Sequence, residues 1–282
     1  MDRAQLWDLL GVRPGTVRVT RGLPNPILTT DTATIPCTTL IPEAPRATIL
    51  YAHAHGNRFD IGGREITDGR GSLQDPPLGQ ALAAQGFAVI APDLPGHGAR
   101  QHEGPESALS KEAHWRGETL FGHMIRDLCA VLDALPDLNL PHPVGTVGFS
   151  MGSFLSLWLA VLRPDIAACA HLCGVTSLRG LIATGNHDLH APYLTVPGLL
   201  THVDLPDIAA LIAPRPQFIG AGLTDPLTPP ETFAPLRAAV TRAYPTGGAT
   251  FSVSQADHFE TPTMRRDLLS FLDDALNAAG EM

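Results

Sequence analysis

The stretch that decides the fold of this chain is Gly148-Phe149-Ser150-Met151-Gly152. An apolar run, 144–147, leads into it, and an apolar, helix-forming run, 154–162, follows it. This pattern predicts a serine on a sharp turn from a strand to a helix, with its hydroxyl held out of the sheet. Glycines stand two residues to either side of Ser150 because a β-carbon there would collide with the neighbouring strand or helix.

Length and composition indicate one α/β domain. The chain has 282 residues and is 44% hydrophobic, so we expect a single domain over 1–282, with strands and a helix in 1–46. The net charge of −9, without a basic cluster, argues against nucleic acid or membrane partners and favours a small uncharged substrate. The sequence shows no leader and no apolar run near the ~20 residues that span a bilayer, so we expect a soluble cytoplasmic protein.

Apolar runs alternate with helical patterns along most of the chain. We predict eight strands at 17–21, 33–39, 47–53, 87–91, 143–149, 167–173, 217–221 and 249–254, with a Pro-rich loop joining the first two. Helices are predicted at 77–85, 120–135, 154–162, 230–243 and 263–277. Repeated strand-helix units predict a mostly parallel eight-stranded sheet with helices on both faces.

Two long segments, 96–118 and 174–213, interrupt this alternation. Long segments at the carboxyl ends of parallel strands are where α/β enzymes build their pockets. We therefore predict that 174–213, which follows the sixth predicted strand, forms a partial lid over Ser150. His187 and His190 in this segment are candidates for lining the substrate pocket, with a plain loop role as the alternative.

A serine hydroxyl needs a histidine to take its proton and a carboxylate to orient that histidine. After an elbow of this kind the partners follow in the order acid, then histidine. Asp225 comes directly after predicted strand 217–221, and His258 comes directly after predicted strand 249–254. We therefore predict Ser150, His258 and Asp225 as a catalytic triad. Asp257 is a weaker candidate for the acid because it would have to orient its own sequence neighbour.

Attack on a carbonyl carbon places negative charge on its oxygen, which backbone N–H groups can stabilise. One donor is predicted to be the N–H of Met151, the residue after the nucleophile. The other should come from the loop 53–57, where Gly56 lets the backbone approach the substrate. We nominate the N–H of Asn57, with a neighbouring N–H as the alternative.

The sequence resembles the α/β-hydrolase fold from about residue 47 onward. The motifs that carry the resemblance are His55-Gly56, Asp93-Leu94-Pro95-Gly96-His97-Gly98, the Ser150 elbow, Asp225 and His258. The stretches 196–200 and 204–216 are similar to the segment ahead of the catalytic acid in dienelactone hydrolase-like and acetylxylan esterase-like members. The resemblance implies a serine esterase that cleaves carboxylic esters without a cofactor. Dienelactone hydrolases proper carry cysteine at the elbow, so their lactone substrate is not carried over to Ser150.

Other activities use the same residues. A thioesterase, lactonase, amidase or peptidase would need the same triad. A metal-dependent hydrolase is an alternative, because His53 and His55 have the spacing of metal ligands and further ligands could come from His187, Asp188 and His190. A metallo-β-lactamase pattern, however, needs Asp and His just after His55, and Asn57 and Arg58 stand there instead. We expect no metal. A binding module on an inactive hydrolase scaffold is a further alternative, against which the intact triad argues.

Overall fold

The computed structural model describes residues 1–280. In this part of the chain the strands are β1 (Val17–Arg21), β2 (Ile27–Thr30), β3 (Thr34–Leu40), β4 (Ala47–Ala52), β5 (Phe87–Pro92), β6 (Val144–Phe149), β7 (Ile166–Leu172), β8 (Gln217–Gly222) and β9 (Ala249–Ser254). They form one sheet in the order β1-β2-β3-β5-β4-β6-β7-β8-β9. β1, β2 and β3 pair antiparallel, β3 pairs antiparallel with β5, and all other pairs are parallel. The predicted fold class is confirmed.

The helices of residues 1–280 are α1 (Arg3–Leu10), α2 (Glu65–Asp68), α3 (Leu78–Ala84), α4 (Glu106–Trp115), α5 (Leu120–Ala134), α6 (Met151–Leu162), α7 (Leu178–Thr184), α8 (Leu199–His202), α9 (Leu205–Ala210), α10 (Pro230–Ala243) and α11 (Pro262–Gly280). Short 3-10 turns occur at Gly62–Arg64, Gly98–Glu103, Asn186–Leu189 and Pro192–Leu194. None of these described helices combines the length and the apolar character that crossing a membrane would require.

The sheet has nine strands where we predicted eight. The additional strand, β2, lies in the segment that we interpreted as a Pro-rich loop. It has four residues, and pairing with β1 on one side and β3 on the other satisfies its backbone groups. Prolines 24 and 26 stand just before it, so the local pattern resembles a loop although Leu28 is fully buried.

Helices cover both faces of the sheet. On one face, α1, α5, α6, α9 and α10 contribute to a large apolar core. On the other face, α3 and α11 pack over a second core. The central strands β4, β5, β6 and β8 are buried along their whole length, as expected for parallel strands covered on both sides.

The topology places a crevice at one edge of the sheet. β4 lies between β5 and β6, so the chain first steps to one side of β4 to form β5 and then crosses to the other side of β4 to form β6. In open α/β sheets, ligands bind outside the carboxyl ends of the strands at such a point. The segments that follow β4, β6, β8 and β9 meet here, and residues 188–193 of the predicted lid 174–213 lie over them, whereas α9 at the end of that segment packs against α6 and α10.

Candidate active site

Ser150 lies on the turn between β6 and α6. Its backbone has φ 56° and ψ −117°, a conformation that a residue with a β-carbon enters at a cost of about 1–3 kcal/mol. A β-carbon on Gly148 would lie 1.9 Å from the carbonyl oxygen of Gly152, and one on Gly152 would lie 1.8 Å from that of Ala52. Both contacts are far inside van der Waals distance, so the strained turn requires glycine at both positions.

The three predicted triad residues form one chain of hydrogen bonds. His258 Nε2 lies 2.9 Å from Ser150 Oγ, and His258 Nδ1 lies 2.8 Å from Asp225 Oδ2. Asp225 is buried, with 1% of its surface exposed. Its oxygens also accept the N–H of Leu227 at 2.8 Å and the hydroxyl of Thr228 at 3.0 Å. A carboxylate held by these donors keeps one orientation toward the imidazole.

Asp257, the other candidate for the acid, takes a different position. It is exposed and accepts the backbone N–H of His258 at 2.7 Å. The side chain of Asp225, in contrast, reaches the ring of His258 from the neighbouring strand end. The arrangement therefore favours Asp225 as the partner of the imidazole.

The two predicted backbone donors differ in their surroundings. Met151 is the first residue of α6, so its N–H belongs to the helix end whose donors have no partner within the helix. Gly56 and Asn57 are both in the left-handed region, at φ 50° and φ 54°. The N–H of Asn57 donates to Nδ1 of His55 at 3.1 Å. The second predicted donor therefore already has an acceptor, which the sequence did not indicate.

A buried carboxylate supports the loop after β4, which carries the second predicted donor, Asn57. Glu65 accepts the N–H of Ala54 at 3.1 Å and the hydroxyl of Tyr51 at 2.7 Å, and it pairs with Arg70. Arg70 in turn donates to the carbonyl oxygens of Ala54, at 3.0 Å, and His55, at 3.3 Å. Burial raises the pKa of Glu65, and the arginine opposes that shift. No motif or periodicity marks Glu65 and Arg70, so their role could not be predicted from the sequence.

A cavity of about 390 Å³ opens beside the serine. Ser150, His258 and Asn57 line it from the sheet side, and the lid residues 188–193 line it from above. Of the predicted lid 174–213, the middle part, 188–193, therefore lies over the serine. His190 is among the lining residues; its Nε2–H donates to the carbonyl of Leu227 at 3.0 Å, and burial lowers its pKa.

His187, the second predicted pocket residue, has a different location. It lines a neighbouring cavity of about 320 Å³ that is formed by lid residues alone and is walled mostly by aliphatic side chains. His190 and Ala191 line both cavities. The prediction of a pocket role thus fits the position of His190, whereas the structure places His187 away from the serine.

The histidines considered as metal ligands face protein groups. His53 Nδ1–H donates to the carbonyl of Ala54 at 3.0 Å, and its Nε2 accepts the N–H of Leu94 at 3.3 Å. Both nitrogens of His55 are bonded as well, to Asn57 and to Glu106. Over residues 1–280, no three His, Cys, Asp or Glu side chains converge in a way that could hold a metal ion.

A mostly parallel sheet covered by helices, with a serine on a strained turn from strand to helix, is the architecture of the α/β-hydrolase class. The sequence model of the alpha/beta hydrolase fold family matches residues 62–281, so the chain belongs to this family. The resemblance stated from the motifs is confirmed.

Known relatives agree with this assignment. The chain is 35% identical over 236 residues to the protein named "Putative hydrolase YtaP" of Bacillus subtilis (strain 168), covering 82% of this chain and 79% of that protein. TT1662 from Thermus thermophilus superimposes with a TM-score of 0.63 at 21% identity, covering 94% of this chain and 99% of that one. A cold-adapted esterase from an Arctic intertidal metagenomic library gives a TM-score of 0.59 at 20% identity, covering 94% and 100%. The two structures support the fold, and the chain is a hydrolase by its family.

Proposed function

We propose that this protein cleaves a carboxylic ester of a small substrate through an acyl-enzyme. The observation that carries the proposal is the hydrogen-bonded chain from Ser150 through His258 to the buried Asp225, at the floor of a cavity beneath the lid. Nucleophile, base and orienting acid in this geometry activate an alcohol for attack on an acyl carbon.

The proposed reaction has two halves. Ser150 Oγ attacks the ester carbonyl while His258 Nε2 takes its proton, and Asp225 stabilises the imidazolium that forms. The tetrahedral intermediate collapses as His258 returns the proton to the leaving alcohol. Water then attacks the acyl-serine with the same histidine as base, which releases the acid and restores the free hydroxyl.

The negative oxygen of each intermediate would bind the N–H groups of Met151 and Asn57. In the free protein the N–H of Asn57 donates to His55 Nδ1, so the oxyanion would share this N–H with the imidazole or replace it as acceptor. An anionic oxygen is the stronger acceptor of the two. Donors of this kind typically contribute about 2.7 to 4 kcal/mol to the transition state.

Several features support a small ester as the substrate. The cavity of about 390 Å³ lies near the lower end of the range for small-molecule pockets, about 300–1,000 Å³. The apolar residues Leu189 and Pro192 of the lid and Leu227 after β8 line it, and Asp188 is the one carboxylate among its lining residues. One of the solved structures that share the fold is described as an esterase. Thioesters, lactones and amides would react through the same groups and are the alternative substrates.

The test compares wild type with Ser150→Ala on a panel of nitrophenyl esters, thioesters, lactones and anilides. Ser150→Ala should lower kcat by about 10³- to 10⁶-fold, whereas Ser107→Ala, at an exposed serine, should leave it unchanged. A phosphonate should label wild type at Ser150. Near-normal turnover by Ser150→Ala, or loss of wild-type activity with a chelator, would contradict the proposal, and absence of turnover on every substrate would favour a binding module.

A further inference from the structure

The carboxylate of Glu106 connects two parts of the site that are far apart in sequence. Glu106 is the first residue of α4 and is buried, with 7% of its surface exposed. Its Oε1 accepts the N–H of Tyr193, in the lid, at 2.7 Å. Its Oε2 lies 2.5 Å from Nε2 of His55, in the loop after β4. Burying a carboxylate costs free energy unless its oxygens are hydrogen-bonded, so the bonds to Tyr193 and His55 both offset the cost of burying Glu106.

The hydrogen bonds of His55 determine where its ring proton lies. The N–H of Asn57 points at Nδ1, which must therefore accept and carries no proton. A neutral ring then has its proton on Nε2 and donates it to Glu106. The carboxylate accordingly fixes the tautomer that lets His55 accept from Asn57.

The ring of His55 is also fixed by packing. It stacks on the ring of Tyr193 with centroids 5.8 Å apart and 26° between the planes. The ring of Phe59 meets it edge-on at 4.9 Å. An immobile ring presents Nδ1 at one position, so its bond to the N–H of Asn57 holds the left-handed backbone of this residue in one place before an oxyanion shares or takes over that N–H.

We infer that Glu106 and His55 are positioning residues, which hold the Gly56–Asn57 backbone in place for the oxyanion and fix it relative to the lid. The path runs from the lid N–H of Tyr193 through Glu106 and His55 to Asn57. This inference rests on the proposed function, because the position of Asn57 affects rate only where an oxyanion forms. Neither residue touches the reacting atoms.

The variant Glu106→Gln tests the inference because it removes one of the two hydrogen-bond acceptors of the side chain at position 106. A carboxylate accepts at both oxygens, whereas a carboxamide accepts at one and donates at the other. In either orientation its NH2 group would face a donor, which is the N–H of Tyr193 or Nε2–H of His55. If His55 moved its proton to Nδ1 to relieve this, that proton would face the N–H of Asn57.

We expect Glu106→Gln to lower kcat by about 10- to 100-fold, part of what removal of an oxyanion donor costs. KM should change by less than about threefold, because the oxyanion exists only after the ground state. Glu112→Gln is the matched control. It lies on the same helix, is exposed, pairs with Arg116 and removes the same charge, so its kcat should stay within about twofold of wild type.

Substitutions of His55 separate hydrogen bonding from packing. The side-chain oxygen of His55→Asn can accept the N–H two residues on, as asparagine does in turns. His55→Phe keeps an aromatic ring against Tyr193 and Phe59 but accepts no hydrogen bond. We expect His55→Asn to retain at least about fivefold more kcat than His55→Phe, since a lost hydrogen bond costs about 1 kcal/mol. The reverse order would indicate that the ring merely fills space and would overturn the inference.

A transition-state analogue gives a second readout. A trifluoromethyl ketone forms a tetrahedral adduct with a serine, and its affinity should fall in Glu106→Gln by the same factor as kcat/KM. Melting temperatures of all variants show whether each is folded. Equal kcat and equal analogue affinity for folded Glu106→Gln and Glu112→Gln would overturn the inference.

Failure of the proposed function can be distinguished from failure of the inference about Glu106 and His55. Wild type would then neither turn over esters nor become labelled at Ser150, whatever the behaviour of the Glu106 variants. Amide exchange would still test the link itself. In Glu106→Ala the N–H of Tyr193 loses its acceptor, so it should exchange faster than in wild type or in Glu112→Ala, and an unchanged rate would overturn the inference in that case too.

Discussion

His171 should make the stability of this protein fall as the pH is lowered. The residue lies on β7 and is buried, with 1% of its surface exposed. Its Nδ1 lies 2.7 Å from the hydroxyl of Ser156, and its Nε2 has no partner among the described residues. Burial lowers the pKa of His171 from 6.5 to about 3, so the folded protein holds the ring neutral.

The sign and size of the effect follow from this difference. The unfolded chain binds a proton at His171 below about pH 6.5 while the folded chain does not, so stability falls from about pH 6.5 down to the folded pKa of about 3. The slope is about 1.4 kcal/mol per pH unit. Between pH 8 and pH 5, His171 alone should therefore remove about 2 kcal/mol from the free energy of unfolding.

Other groups also contribute to the wild-type curve. Burial lowers the pKa of His97 to about 4 and that of His53 well below its usual range, which adds to the effect. Burial raises the pKa values of Glu65 and Asp93, and raised carboxyl pKa values act in the opposite direction. The contribution of His171 must therefore be isolated by substitution.

His171→Phe isolates it, because this variant keeps a ring of similar size without a titrating group. Urea unfolding followed by circular dichroism at pH 8, 7, 6 and 5 gives the free energy of unfolding of variant and wild type. Relative to wild type, the variant should gain about 2 kcal/mol between pH 8 and pH 5. His202→Phe, at an exposed histidine, should show no such gain. A difference between His171→Phe and wild type that stays constant with pH would refute the reasoning.

Two further predictions concern the elbow and the loop after β4. Gly152→Ala places a β-carbon 1.8 Å from the carbonyl oxygen of Ala52, so this variant should lose activity and have a sharply lower Tm. Gly15→Ala, at a position with open space around it, should change neither property. Equal Tm values for the two variants would contradict the steric argument. Arg70→Met leaves Glu65 buried without its charge partner and should cost about 3–5 kcal/mol in urea unfolding. A cost below about 1 kcal/mol would mean that the other donors to Glu65 suffice.

The parts of the fold that the sequence predicts well depend on local patterns. The elbow is specified by two glycines and a serine within five residues, since the collisions that exclude a β-carbon involve the turn itself and the strand beside it. The buried parallel strands are continuous apolar runs. β2 is the exception: four residues after two prolines carry too little pattern, and what makes them a strand is pairing with β1 and β3.

The parts of the site that were missed depend on long-range contacts. Glu106 and His55 are 51 positions apart, and neither belongs to a pattern that predicts their meeting. The bond from the N–H of Asn57 to Nδ1 of His55 is local, but its role becomes visible only when Glu106 fixes the tautomer. Motifs therefore identify the groups that would react, whereas the groups that hold them in place are found only in three dimensions.

Asp225 shows how one local structure can satisfy two interpretations of a sequence. An aspartate before a proline is typical of a turn, and Asp225 does form one: its Oδ1 accepts the N–H of Leu227, two residues on. That bond orients the carboxylate and leaves Oδ2 for Thr228 and for Nδ1 of His258. The turn is therefore the means by which the acid is aimed at the imidazole. The position of Asp225 after a strand, which makes it the candidate acid, could be predicted from the sequence, whereas its burial could not, because burial depends on the whole fold.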